Sequence, residues 1–323
     1  MNAHCQPRLR TQTAELTVII ISYNTADLTL KAVETLYANT QDTVFDCVVF
    51  DNASRDDSVA RIRAAFPQVR VIASAENIGF AMANNVVAAE CATPYFLLLN
   101  PDTETHPQAV DALVKFAKSY PETGIWGGRT VFADGSLNIA SCWAAPSVRS
   151  LFFRAIGLTT LWPESDMVNP EKYTGWQRDS IRKVDIVVGC FLMIGRPLWQ
   201  QLGGFRPKYF MYGEDADLCL RARKLGYLPA ITPDAQITHH VGASTTRNEE
   251  KTISVMKSRA SLIRDHWPRW KIGSGIFLMW LWGALRYFGT RPLTISRNAR
   301  LRETAHHWQV VWARRAEWLA GYA

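Results

Sequence analysis

A chain of 323 residues that is 48% hydrophobic can bury a substantial core, which excludes disorder over most of its length. The formal charge of +7 is unevenly placed: residues 257–323 hold 12 Lys and Arg against 3 Asp and Glu, whereas the rest is slightly acidic, at 24 against 26. Six cysteines (Cys5, Cys47, Cys91, Cys142, Cys190, Cys219) stand without CxxC spacing, which argues against a zinc site and a disulfide framework and points to a reducing compartment.

Residues 1–15 form a polar tail without the apolar stretch of a secretory signal. Short apolar runs at 18–21, 48–50 and 96–99 fit strands buried on both faces of a parallel sheet. Between them, residues 28–38 carry Leu30, Val33, Leu36 and Tyr37 at helical spacing, and 57–66 carry Val59, Ile62 and Phe66. The alternation predicts a βαβαβ unit, the Rossmann-like nucleotide-binding half of an α/β fold.

Three polar clusters follow those runs: Ser22-Tyr23-Asn24, Asp51-Asn52-Ala53-Ser54 and Asn100-Pro101-Asp102. Open parallel sheets bind ligands beyond the carboxyl ends of their strands, so the three clusters are expected to share one crevice. Taken singly, Asp51-Asn52 reads equally as a turn or helix cap, and Asn-Pro-Asp as a proline turn whose Asp caps the next helix.

Farther on, Asp134-Gly135 predicts a hairpin turn, residues 145–180 read as an insertion of mixed polarity, and 186–194 read as a strand interrupted by Gly189-Cys190. Gly203-Gly204-Phe205 leads to a helix from about Glu214, with Leu218, Ala222 and Leu225 on one face. A strand-like run at 235–238 precedes His239-His240. Residues 272–285 hold fourteen positions without charge between Lys271 and Arg286, short of the ~20 apolar residues of a spanning helix. That segment reads as an interfacial helix or as part of the core. The basic tail contains seven of the twelve tryptophans, and Trp with Arg suits a membrane interface better than nucleic acid. Packing on the core, or an oligomer contact with a second copy, is the alternative use of the tail.

Transfer of a sugar from a nucleotide diphosphate needs stabilisation of the departing anion and a base for the incoming hydroxyl. Mg²⁺ or Mn²⁺ can serve with one protein carboxylate, the remaining ligands being phosphate oxygens and water. Asp102 is the candidate carboxylate, with an imidazole of the His239-His240 pair able to complete the site. Asn100 is placed to meet a ribose and Asp51 the base or nucleoside. Asp215, near a helix start, is favoured as an anion by the helix dipole, although capping accounts equally well for Glu214 or Asp217.

In order along the chain, Ser-Tyr-Asn at 22–24, Asp-Asn-Ala-Ser at 51–54, Asn-Ile-Gly-Phe-Ala at 77–81 with Asn84-Asn85, Asn-Pro-Asp at 100–102, Asp-Gly-Ser-Leu at 134–137, Gly-Gly-Phe at 203–205, Tyr-Gly-Glu-Asp-Ala-Asp-Leu-Cys-Leu-Arg at 212–221 and His-His-Val-Gly-Ala-Ser at 239–244 resemble the inverting glycosyltransferases of family 2, which have the GT-A fold. The resemblance implies Asp51 at the nucleobase, Asn100 at the ribose, Asp102 and His239 at the metal, and Asp215 as catalytic base. The His-x-x-Gly-x-Ser spacing selects His239 over His240. Ser22, Tyr23, Asn24, Asn77 and Gly79 complete the donor side; Gly189, Glu214 and Trp126 are assigned to the acceptor side. Met82-Ala83 and Gly195-Arg196 depart from the family's pattern and bear on the donor rather than the reaction.

Within the family the chain is most similar to bacterial rhamnosyltransferases that extend cell-surface glycans on lipid carriers. That likeness implies a nucleotide-sugar donor, deoxythymidine diphosphate rhamnose, a lipid-linked acceptor and a place at the inner face of the cytoplasmic membrane. The Gln-x-x-Arg-Trp motif of processive synthases is absent. The expected organisation is a tail over 1–15, a GT-A domain over 16–250 with halves at 16–125 and 126–250, and a helical extension over 251–323. A nucleotidyltransferase would need a Gly-rich basic loop after 18–21, which is missing, and a catalytically silent binding module would be expected to lack Asp102 or Asp215. A nucleic-acid binder would not account for the acidic crevice.

Overall fold

A computed structural model describes residues 13–240 and 249–322. The donor-side half runs β1 (Leu16–Ser22), α1 (Ala26–Asn39), β2 (Phe45–Asp51), α2 (Ser58–Ala65), β3 (Arg70–Ala73), α3 (Gly79–Ala89) and β4 (Tyr95–Leu99). There follow β5 (Thr103–Thr105), α4 (Ala109–Ser119), β6 (Ile125–Val131), β7 (Leu137–Asn138), β8 (Cys142–Trp143), α5 (Val148–Ala155) and α6 (Leu158–Leu161). Next come β9 (Arg182–Lys183), β10 (Ile186–Val187), β11 (Phe191–Gly195), α7 (Arg196–Leu202), α8 (Glu214–Lys224) and β12 (Ala230–His239). The C-terminal part is helical: α9 (Glu249–His266), α10 (Arg269–Thr290), α11 (Ala299–Ala313) and α12 (Arg315–Ala320).

The main sheet has the order β3-β2-β1-β4-β11-β6-β12-β5, with β7 beside β6 and β9 beside β12. All seven residues of β1 are buried, because helices cover both faces of the sheet. Alternation then divides that strand between two cores: Ile19 and Ile21 pack on one side, Leu16, Val18 and Ile20 on the other. Strands β1 to β4 are parallel, and β1 lies between β2 and β4, so the chain reverses its direction of progress across the sheet after β3. The carboxyl ends of β1, β2 and β4 lie side by side at that switch point, where open α/β sheets bind their ligands.

Two details differ from the sequence reading. Residues 186–194 are two strands: β10 pairs with β8 in a small separate sheet, and β11 enters the main sheet antiparallel to β4. Leu225 leaves the buried face of α8, since the helix ends at Lys224 and Gly226 (φ +95°) turns the chain away. The Asp134-Gly135 turn does connect β6 to β7, with Asp134 accepting from Ser136.

The 145–180 insertion is held by buried charge. Arg178, fully buried, donates to the carbonyls of Tyr173, Trp176, Ile139 and Lys172. Glu171 joins the insertion to α9 through paired 2.9 Å bonds from Arg259, with Arg154 at 3.3 Å. Burial alone would raise the Glu171 pKa, but the Arg259 and Arg154 guanidiniums hold it down at about 2. A pKa depressed on folding contributes stability that is complete above the ordinary glutamate value and lost as pH falls toward 2. Glu171→Gln, which leaves two guanidiniums without their anion, should therefore cost ~3–5 kcal/mol at neutral pH and flatten the dependence of stability on pH below 4.5. Urea unfolding at several pH values checks this, and an unchanged midpoint would show the triad to be dispensable.

Candidate active site

The polar clusters lie together because their strands do. Asp51 closes β2, nearly buried, with one carboxylate oxygen accepting from Ser54 N at 3.0 Å and Oδ1 buried without a partner. A cleft of about 450 Å³ opens beside it, lined among others by Tyr23, Ser54, Arg55, Ser74 and Asn77, a volume suited to a nucleoside. Asn24 (φ +53°) ties the first two loops together, accepting from Arg55 N at 2.8 Å while its own N–H donates to Ser54 Oγ. Asn52 reaches across to accept from Ile78 N, and Asn77 accepts from Gly79 N, so the start of α3 is tied to the same rim.

Asp102 follows β4 and is buried. The next residues form β5, whose pairing with β12 sets Thr103 opposite His239 and brings the ring Nε2 within 3.2 Å of Asp102 Oδ1. Burial works against a charged ring, but the Cys190 sulfur and the Asp102 carboxylate more than offset it and raise the His239 pKa to about 10. Its Nδ1 is buried without a partner. The Asp102 carboxylate beside His239 Nε2 is a fit for a divalent cation, which would take the place of the proton between them. Among the described residues no group of three or more His, Cys, Asp and Glu forms a cation cage, so diphosphate oxygens and water would supply the remaining ligands. His240 turns the other way, its Nε2 2.7 Å from Glu104. The Val241-Gly242-Ala243-Ser244 part of the motif, like residues 1–12, lies outside the described residues.

Asp215 is tied to the Asn-Pro-Asp turn through the break between β10 and β11. Asn100 N donates to Cys190 O at 3.1 Å, and Gly189 N donates to Asp215 Oδ2 at 3.0 Å, so residues 189–190 bridge the Asn-Pro-Asp turn and the acidic helix. Asp215 Oδ1 accepts from Ala216 N at 2.7 Å. Burial raises the Asp215 pKa while those N–H groups oppose the shift. Burial and the neighbouring Asp215 charge push Glu214 up to about 8. Two adjacent shielded carboxyls hold one proton more readily than two charges, and the two N–H donors favour the negative charge at Asp215.

The loop entering α8 is clamped by the C-terminal helices. Asp265 of α9 takes Tyr209 OH at 3.0 Å and Lys208 Nζ at 2.7–2.8 Å. Asp217, fully buried, lies 2.8 Å from His266 Nε2 and accepts from Arg221 Nε at 2.7 Å. Tyr322 OH donates to Met211 O at 2.5 Å, and a Cβ at Gly213 (φ +89°) would overlap Ser258 Oγ. On its other side the loop meets α3, where a Cβ at Gly79 (φ +80°) would lie 2.7 Å from Phe210 O.

Some sequence-assigned residues stand elsewhere. Ser22 is fully buried and its hydroxyl is engaged by Thr25 and Thr29, so it supports the first turn from below instead of facing the cleft. Trp126 is a core residue of β6: its Nε1 donates to Tyr120 O and its ring meets Tyr95 at the entry of β4, the end away from the site. Gly79 answers a packing need at the Phe210 loop. Conversely, Arg55, Ser74 and Glu76 line the cleft without having been singled out. The signal available for them was their place after β2 and β3, and β3 is a four-residue edge strand with no buried position.

The profile described as Glycosyl transferase family 2 matches residues 17–194. The N-acetylglucosaminyl-diphospho-decaprenol L-rhamnosyltransferase of Mycobacterium tuberculosis is 28% identical over 232 residues, 68% of this chain and 75% of that protein. The low-salt glycan biosynthesis hexosyltransferase Agl10 of Haloferax volcanii is 26% identical over 67% of this chain and 64% of its own. Among solved structures, the mannosyltransferase PcManGT from Pyrobaculum calidifontis, in complex with GDP-Man and Mn²⁺, superposes with a TM-score of 0.55 at 17% identity, over 96% of this chain and 86% of that one. At that identity the likeness speaks for the fold.

Proposed function

Because the chain belongs to glycosyl transferase family 2, with the GT-A architecture, we propose that it is an inverting, metal-dependent rhamnosyltransferase acting from a nucleotide diphosphate sugar on a hydroxyl of a lipid-linked glycan. The observation that carries the reading is the bridge that sets Asp215 across residues 189–190 from the Asn-Pro-Asp turn, where Asp102 meets His239. Those two residues would hold Mg²⁺ or Mn²⁺, which when bound neutralises the charge that develops on the departing diphosphate. The cleft beside Asp51 would take the nucleoside, with the orphaned Oδ1 accepting from the base, and Asn100 would meet the ribose.

Asp215 removes the proton of the acceptor hydroxyl as its oxygen attacks the anomeric carbon. The bond from that carbon to the diphosphate oxygen breaks on the opposite face, so a single displacement inverts the configuration. Glu214 lies beside the base, its Oε2 without a hydrogen-bond partner, and would orient the acceptor. Gly189, whose N–H positions Asp215, completes the acceptor side.

Rhamnose is supported by the mycobacterial relative, whose name also specifies a diphospho-decaprenol acceptor, and deoxythymidine diphosphate would be its carrier. An acceptor of that kind is confined to a bilayer, which would place the enzyme peripherally at the inner face of the cytoplasmic membrane. In a thermal-shift panel of nucleotide-sugars, the rhamnose donor with Mn²⁺ should raise the unfolding temperature by a few degrees, and omission of the metal should remove most of the rise. Equal stabilisation by the nucleotide-sugars without metal would refute metal-dependent donor binding.

A further inference from the structure

None of the described helices is long and apolar enough to cross a membrane, yet α10 presents an apolar face outward. Its inward side packs through Gly275, Leu278, Met279, Gly283 and Ala284. The outward residues Trp270, Phe277 and Phe288 are 79%, 57% and 56% exposed, and their separations of 7 and 11 residues put them on one line along the helix. A solvated helix would carry charge there. This one has none between Lys271 and Arg286.

The insertion supplies a second outward face beside it. Helix α5 packs against α10, with Leu151 in the same cluster as Leu278 and Met279 and the Arg154 guanidinium 5.6 Å from the Trp282 ring. Val148, Phe152 and Ile156 follow at steps of four, all exposed, and Leu161 and Trp162 continue the apolar surface past α6. Arg286 of α10 donates to Thr160 at 3.1 Å and closes the seam.

Charge selects the occupant. Residues 269–302 contain seven Lys and Arg and no Asp or Glu, and residues 148–163 contain no acid and one arginine, Arg149, that is not paired with Glu171. A surface of aromatic and aliphatic side chains set among cations matches the headgroup boundary of an anionic bilayer. A second copy of the chain would bring the same positive charge against itself.

We infer that α5–α6 and the outer face of α10 form one composite surface that seats the protein on an anionic membrane, so that the insertion is a docking element together with the basic tail. The inference rests on the proposed lipid-linked acceptor, and the experiment separates the two. Full-length protein is sedimented with vesicles of phosphatidylcholine containing 30% phosphatidylglycerol, and transfer is measured on a water-soluble acceptor analogue. The Phe152→Ser/Ile156→Ser pair and the Phe277→Ser/Phe288→Ser pair should each lower vesicle partitioning about tenfold, since each exposes two large apolar side chains fewer to the bilayer. Raising the salt should weaken wild-type binding. Both pairs should keep the wild-type unfolding temperature and full turnover of the soluble analogue, because the four positions are exposed and outside the site. Unchanged partitioning of the Phe152/Ile156 pair would overturn the composite surface, as would a wild-type dimer that the same pair converts to monomer. Absence of turnover in an intact, vesicle-binding wild type would instead count against the reaction.

Discussion

Asp102→Ala should abolish metal-dependent donor binding and lower turnover by roughly 10³-fold, the scale of several kcal/mol of charge stabilisation at the leaving group. The carboxylate is buried at the end of the Asn-Pro-Asp turn and faces His239. Its removal leaves one imidazole to hold the cation, and the stabilisation that nucleotide-sugar and Mn²⁺ give together should vanish. The fold should survive, because the link between the turn and the end of β12 is also made by the backbone, His240 N donating to Asp102 O at 2.9 Å. Calorimetric titration of the nucleotide-sugar with and without Mn²⁺ checks this. Wild-type affinity in the presence of metal would remove Asp102 from the site.

Asp215→Asn should leave donor affinity within about twofold of wild type while turnover falls by roughly 10²- to 10⁴-fold, the range of a general base. An amide oxygen can still accept from Gly189 N, so the bridge between residues 189–190 and α8 is kept, but it has no basicity at neutral pH. Loss of the charge also relieves Glu214, whose pKa stands at about 8 through burial and its charged neighbour, which offsets the bond from Ala216 N that an amide nitrogen cannot accept, so stability should stay close to wild type. Because burial raises the Asp215 pKa, wild-type turnover should fall on acidification at a pH above the ordinary aspartate value, as the base takes up its proton. Near-normal turnover in this variant would assign the base elsewhere.

The parts of the fold that were legible in the sequence are those set by burial alone. Strands β1, β2 and β4 each carry a continuous apolar run, 18–21, 47–50 and 95–99, because both faces are covered there, and α1 and α2 show helical spacing because one side is covered. Elements held by pairing were not legible: β3 has no buried residue, and β5 is Thr-Glu-Thr, yet β5 is what carries His239 to Asp102. The break at Gly189 was visible as a glycine inside an apolar run. Its purpose was not, because the N–H freed from the sheet serves Asp215, 26 residues away. Trp126 and Ser22 illustrate the converse error. Each has a polar atom that a site could use, and each has spent it locally, on Tyr120 O and on the Thr25 and Thr29 hydroxyls. The clamp of α9 and Tyr322 on the 209–213 loop depends on side chains from distant segments and leaves no periodic trace.

The most direct test of single-displacement rhamnosyl transfer is the configuration of the product. The enzyme is supplied with deoxythymidine diphosphate rhamnose, Mn²⁺ and a lipid-linked glycan acceptor, and the anomeric one-bond carbon–proton coupling of the purified product is read by NMR. One attack by a hydroxyl that Asp215 deprotonates, with no covalent enzyme intermediate, predicts a product of configuration opposite to that of the donor. A product that retains the donor's configuration would contradict the account, since retention requires chemistry that a lone base at Asp215 does not provide.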